Sequence, residues 1–302
     1  MISNDARREL DILFARPKRD GTLTENRRQW EEECLSTHVL PEGARFESVV
    51  AGGVPSEWMD MPESVPGKVL LLLHGGGYNA GSPKTHRRMA AHLARETGMR
   101  VLVPDYRLAP EHPFPAGVKD ALLAYGWLLS QGLSETDIVV GGDSAGGGLA
   151  LSMLLALREA NAKMPLAAVL LAPWTDLTVS SPSYETLRDK DPIITREGLR
   201  EAGLWYAGNR DPADPMLSPL FADPSGLPPL LIHAGGDEVM LDDSVRFAQK
   251  AQLAGVATTL KVWPGLWHVF HGEPHVPEAA AAIGEIGAFV KDQMGRQGSS
   301  GI

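Results

Sequence analysis

Short, dense apolar runs recur along this chain, each separated from the next by a segment of helical character. KVLLLL at 68–73 is bounded by Pro66-Gly67 and by the glycines after His74. RVLVP at 100–104 follows, then DIVV at 137–140, a run at 166–171 and PLLIH at 229–233, and the more mixed TTLKVW at 258–263 reads as a last strand. A strand apolar at nearly every position suits burial on both faces of a sheet. The stretches 84–96, 116–130, 145–160, 242–254 and 277–293 read as helices between these runs. Strands spaced by helices predict an α/β fold, with a mostly parallel central sheet flanked by helices. An antiparallel pair at about 45–55 is expected before it, and two amphipathic helices at 3–14 and 24–37 before that. Residues 173–228 break the rhythm: they are rich in Pro, Asp and Trp and hold a helix around 196–208. That is too long for an ordinary connection, so an insertion over one end of the sheet is expected. The tail from 295 to 302 is expected to be loosely held.

At 302 residues, with 43% hydrophobic and 22% charged side chains, the chain can bury one large α/β core or two smaller ones. Low-complexity disorder is excluded, and a single cysteine, Cys34, excludes an intrachain disulfide framework. A formal charge of −10 argues against nucleic acid or an anionic membrane as the main partner. The first residues alternate charged and apolar side chains, unlike a signal peptide, and LDILF is too short to span a bilayer. A cytoplasmic location without stable membrane insertion is the expectation.

GGDSAGGG at 141–148 directly follows the strand at 138–140. Its centre, Gly142-Asp143-Ser144-Ala145-Gly146, is a G-x-S-x-G pattern between strand and helix. Small residues at 142 and 146 suit a sharp turn that lifts the Ser144 hydroxyl clear of the sheet. The Ala145 N–H then lies at a helix start, where negative charge could develop. A glycine-rich turn with a buried serine is the plainer alternative, and a phosphate loop is disfavoured because no G-K-[S/T] follows. His74-Gly75-Gly76-Gly77-Tyr78 closes the 68–73 strand. Its unblocked N–H groups at Gly76 and Gly77 could join Ala145 in an oxyanion hole. His74 is expected to support that loop by hydrogen bonding.

A nucleophilic serine needs an imidazole to take its proton and a carboxylate to orient the imidazole. IHAGGDEVMLDD at 232–243 and WPGLWHVF at 263–270 each follow an expected strand end. His268 is the base candidate, with His271 and His275 behind it and His233 expected to be structural. Asp237 and Glu238 are adjacent, and the residues alone leave the choice of acid open. Asp242 and Asp243 are expected to cap a helix or bind a nearby loop.

HGGGY at 74–78, DYRLAPEHPFPA at 105–116 and GDSAGG at 142–147, with the acid and histidine segments, resemble bacterial esterases of the hormone-sensitive lipase family. The resemblance spans roughly 69–290 and implies an α/β-hydrolase fold with a helical cap. The cap would combine residues 1–45 with an insertion at about 176–215, on a catalytic domain of 46–302. It implies Ser144 as nucleophile, His268 as base and Gly76, Gly77 and Ala145 as oxyanion donors. The acid segment departs from the family's Asp-Pro-Leu-x-Asp: counting back four from Asp242 reaches Glu238, which is therefore favoured over Asp237. Asp237 could then bond to backbone amides. Arg107 and Glu111 are expected to pair within the loop they share, and Asp143 and Asp176 to be supports. Tyr78, Asn79, Leu204, Trp205, Tyr206 and Met216 are expected to line the substrate pocket.

The resemblance implies hydrolysis of short- to medium-chain neutral carboxylic esters, with no metal or organic cofactor. Family members occur as monomers and dimers, so a homodimer is one assembly it admits. Two rivals share these motifs: a lactonase, amidase or thioesterase on the same triad, and a non-catalytic small-ligand binder of the same fold.

Overall fold

The apolar runs form strands of one sheet. The computed structural model describes residues 1–299 except Lys18 and His38. Among the described residues, helices α1 (Asn4–Ala15) and α2 (Leu23–Thr37) precede strands β1 (Arg45–Ala51), β2 (Val54–Asp60) and β3 (Val69–Leu73). Then come α3 (Arg87–Thr97), β4 (Arg100–Pro104), α4 (Ala116–Ser130), β5 (Ile138–Asp143), α5 (Ala145–Glu159) and β6 (Ala167–Leu171). The excursion after β6 carries the short α6 (Ser183–Thr186) and α7 (Arg196–Ala207). The chain ends with β7 (Leu230–Gly235), α8 (Leu241–Leu253), β8 (Thr258–Trp263) and α9 (Pro277–Ser299).

The eight strands lie in the order β1-β2-β4-β3-β5-β6-β7-β8. β2 runs antiparallel to β1 and β4, and every later pair is parallel. β3, β5, β6 and β7 are buried at every position, which matches their unbroken apolar sequence. One face of the sheet packs on α4, α5 and α8, and the other on α3 and α9. A third apolar cluster seats Ala6 and Leu13 of α1 against Trp267, Phe270 and Ala279. The helix expected to stop at 293 runs on to Ser299, with Met294 packed against the cluster that joins α3 and α9. The remainder of the expected loose tail, 300–302, lies outside the described residues.

No described helix is long and apolar enough to cross a membrane. The C-terminal ends of β3, β5 and β7 carry the glycine loop, the serine turn and the acid segment to one edge of the sheet, where open α/β folds place their sites.

Candidate active site

Ser144 sits between β5 and α5 with φ 54° and ψ −122°, a conformation that costs a non-glycine residue on the order of 1–3 kcal/mol. The fold holds it there through backbone: the Ser144 N–H donates to Leu171 O at 2.8 Å, and Ser144 O accepts from Trp174 N at 2.9 Å. The glycines beside it are needed for close approach. A β-carbon at Gly142 would collide with the Gly146 carbonyl, and one at Gly146 with the Leu73 carbonyl on β3. The expectation of small residues at both positions therefore has a specific cause: the turn is pressed against itself and against the neighbouring strand.

Gly76 and Gly77 lie in the wall of the cavity that also contains Ser144 and His268. Gly76 has φ 119°, where side chains are strained. Ala145 is the first residue of α5, so its N–H belongs to the unpaired first turn. The N–H groups of Gly76, Gly77 and Ala145 have no acceptor among the described residues. His74 supports this loop as expected: its Nδ1–H donates to Gly75 O at 2.9 Å, and its ring stacks on Tyr106 at 4.2 Å. Burial, with the neighbouring His86, pulls its pKa down to about 3, so the ring stays neutral. Asp143 accepts the Gly75 N–H at 3.0 Å and faces His86 Nε2 at 3.2 Å. Burial alone would raise its carboxyl, but His86 and the amide hold it below the usual range.

His268 and Glu238 meet across 30 residues of sequence, with Nδ1 2.8 Å from Oε2. Both are buried, and His268 Nε2 has no hydrogen-bond partner among the described residues. The Nδ1 proton is thereby fixed on the side of the carboxylate, leaving Nε2 as the free basic nitrogen. Burial disfavours the imidazolium, but the bond and charge of Glu238, with Asp191 and Asp143, outweigh it and raise the His268 pKa. Burial likewise pushes Glu238 up, against the pull of His268. Asp237 does not bond to backbone amides through its side chain. Its carboxylate meets Lys190 Nζ at 3.3 Å, while its own N–H donates to Leu266 O at 3.0 Å. The other histidines lie elsewhere: His271 is buried with Nε2 3.3 Å from His233, and the half-exposed His275 meets Glu9 at 3.2 Å.

The cavity has a volume of about 680 Å³, within the range of small-molecule sites. Its walls come from α1, α2, the glycine loop, the segment 193–202 and the His268 loop. Of the expected pocket residues, Asn79 lines it, whereas Tyr78, Leu204, Trp205, Tyr206 and Met216 lie outside its wall. Tyr78 and Tyr206 are buried and stacked face to face at 3.7 Å, bracing the glycine loop against α7. Leu204 is 61% exposed, and Trp205 and Met216 pack on the core of the α4, α5 and α8 face. The face of α7 that reaches the cavity lies a turn earlier, at Gly198, Leu199 and Ala202. Sequence reading had no sign of this phase, since α7 carries apolar residues on two sides. It also missed Trp30, Cys34 and Met89, which line the cavity from helices distant in sequence.

The supports divide similarly. Asp176 accepts from Thr178 and Ser180, and Asp243 accepts the Thr175 and Asp176 N–H groups at 2.9 and 2.8 Å. Arg107 and Glu111 do not pair with one another. Arg107 binds Asp120 of α4, and Glu111 binds Arg27 of α2, whose Nη2 also reaches the Ala109 carbonyl. Both partners were too far along the chain to be seen in the loop's own composition.

A family model described as alpha/beta hydrolase fold matches residues 70–272. An acetyl-hydrolase of Streptomyces hygroscopicus is 40% identical over 265 residues, 87% of this chain and 87% of that protein. An esterase of Acinetobacter venetianus is 39% identical over 225 residues, 74% of each chain. The crystal structure of an esterase from the bacterial hormone-sensitive lipase family matches with a TM-score of 0.93 at 41% identity, covering 97% of this chain and 99% of that one. Sheet order, helical cap and these similarities agree: the chain belongs to the α/β-hydrolase family, among the esterases of its hormone-sensitive lipase branch.

Proposed function

We propose that this chain is a carboxylic ester hydrolase that works through a serine acyl-enzyme on short- to medium-chain neutral esters. The observation that carries the reading is the strained Ser144 sharing one cavity with a His268 whose free Nε2 is backed by Glu238. His268 Nε2 takes the Ser144 proton as Oγ attacks the ester carbonyl. The oxyanion receives hydrogen bonds from the N–H groups of Gly76, Gly77 and Ala145. Collapse of this intermediate breaks the ester C–O bond, and His268 returns the proton to the leaving alkoxide. Water then gives a proton to His268 and attacks the acyl carbon; collapse of the second intermediate breaks the acyl–Oγ bond, and His268 returns the proton to Ser144 as the carboxylic acid leaves. Glu238 holds the imidazole in the required tautomer and offsets its positive charge.

Electrostatics in the cavity support a neutral substrate. Arg16 and Arg19 both pair with Glu33, and Arg88 with Glu273, so each cation in the wall has a carboxylate beside it. The name of the acetyl-hydrolase relative supports the short end of the acyl range. The cap in this reading comprises residues 1–45 and about 176–215, set on a catalytic body of 46–302. Cytoplasmic location and a homodimer accompany the reading as finer expectations, tested by cell fractionation and light scattering.

A p-nitrophenyl ester series from acetate to laurate tests the function directly. Turnover with a maximum at short or medium chains is expected. Absence of hydrolysis across the series, with hydrolysis of a lactone, amide or thioester instead, would replace the substrate class.

A further inference from the structure

The loop carrying Glu238 is anchored by the cap excursion as well as by the sheet. Asp191 lies between α6 and α7 and is buried. Its Oδ1 accepts the N–H groups of Ile193 and Ile194 at 2.9 and 3.1 Å, closing a turn whose two isoleucines line the cavity. Its Oδ2 accepts the N–H of Val239 at 3.0 Å, 48 residues along the chain and next to Glu238. Ser183 acts on the same loop: its Oγ donates to Val239 O at 2.7 Å and accepts from the Asp242 N–H at 3.2 Å. We propose that Asp191 is a positioning residue for this reaction, holding the acid loop so that Glu238 stays against His268 and joining that alignment to the cap segment that walls the cavity. The proposal rests on the reading of Ser144, His268 and Glu238 as the triad.

A turn alone would occupy only Oδ1. The second oxygen is what makes the residue more than a local cap, because it satisfies an amide of the catalytic loop. The charge is placed to matter too. Glu238 from the acid loop, Asp191 from the cap and Asp143 from the end of β5 all favour the His268 imidazolium. The neutral His271 on the same loop and the His86 ring against Asp143 complete the titratable surroundings. Asparagine at 191 separates the two contacts. Its one carbonyl oxygen can keep the turn at Ile193 and Ile194, but its amide would turn a donor toward the Val239 N–H.

Asp191→Asn is to be compared with wild type on p-nitrophenyl butyrate across pH, with Ser144→Ala as the inactive reference and Lys190→Ala as a control on the exposed ion pair. The expected result is a kcat lower by about tenfold, with KM within about twofold. The acid limb of kcat/KM moves down by about half a pH unit as imidazolium support is lost. Lys190→Ala matches wild type. Loss of folded protein alone would lower kcat at every pH and leave the limb in place, so an unmoved limb in folded Asp191→Asn overturns the proposal. If that variant does not fold, Ser183→Ala takes its place: a lower kcat with the limb displaced in the same direction supports the cap-held loop, and an unmoved limb overturns it. A wild-type enzyme without ester turnover sinks the triad reading instead, a result distinct from any outcome in the variants.

Discussion

The serine turn and the acid loop face the same cavity but are held in different ways. Ser144 is fixed by its own strand, its own helix and the next strand, with Gly142 and Gly146 pressed against backbone. Glu238 follows β7 by only a few residues, yet Asp191 and Ser183 of the cap excursion hold the amide and carbonyl beside it. On the proposed reading, the nucleophile is thus held by local backbone, and the acid by contacts from the excursion after β6. A substitution at the turn should damage the fold or remove the chemistry outright. One at the acid loop should grade the chemistry while leaving the sheet intact.

The largest effect is expected from Ser144→Ala. On the hydrolase reading it removes the nucleophile, and kcat should fall by roughly 10⁴- to 10⁶-fold with the far-UV spectrum unchanged. Glu238→Gln comes next, with a kcat loss of about 10³- to 10⁴-fold, because the amide no longer fixes the imidazole tautomer or stabilises its charge. Both are read by steady-state kinetics on a short-chain ester. Gly146→Ala probes the turn through the fold: its β-carbon meets the Leu73 carbonyl, and denaturant titration should show about 1–3 kcal/mol or more of lost stability.

The pH dependence sharpens the acid side. On the same reading His268 must be neutral to accept the Ser144 proton; burial disfavours its imidazolium, but Glu238, Asp191 and Asp143 outweigh that and raise its pKa. Activity is therefore lost as pH falls through the raised value, and the acid limb of kcat/KM should lie above the ordinary imidazole value of about 6.5. The smallest effect belongs to Asp237→Asn, which breaks an exposed pair with Lys190 and should leave kcat within about twofold. A large loss there, with Glu238→Gln active, would reverse the assignment of the acid.

The same contrast explains what could be read from the sequence. Burial on both sheet faces writes itself as unbroken apolar runs, so β4 falls at the expected 100–104 and β3 within one residue of the expected 68–73. The serine turn is equally legible, since its glycines and strand lie within a few residues. Asp237 and Glu238 differ only in which way a short loop faces, and the contacts that hold that loop come from Leu266 and Asp191, neither of them adjacent in sequence. The pocket was harder still. Leu204, Trp205 and Tyr206 share α7 with Leu199 and Ala202, and only helix phase against the glycine loop separates wall from core and solvent. Arg27 illustrates the limit: its contacts with Asn79, Ala109 and Glu111 join α2 to loops more than fifty residues away.

The most direct test of the central claim is covalent. An organophosphate esterase inhibitor reacts with an activated serine hydroxyl, and intact-mass and peptide analysis can follow it beside residual activity. The account predicts one adduct per chain, on Ser144, with activity falling in proportion and Ser144→Ala left unlabelled. Full activity after labelling of Ser144, or inactivation with the adduct at another residue, would contradict it.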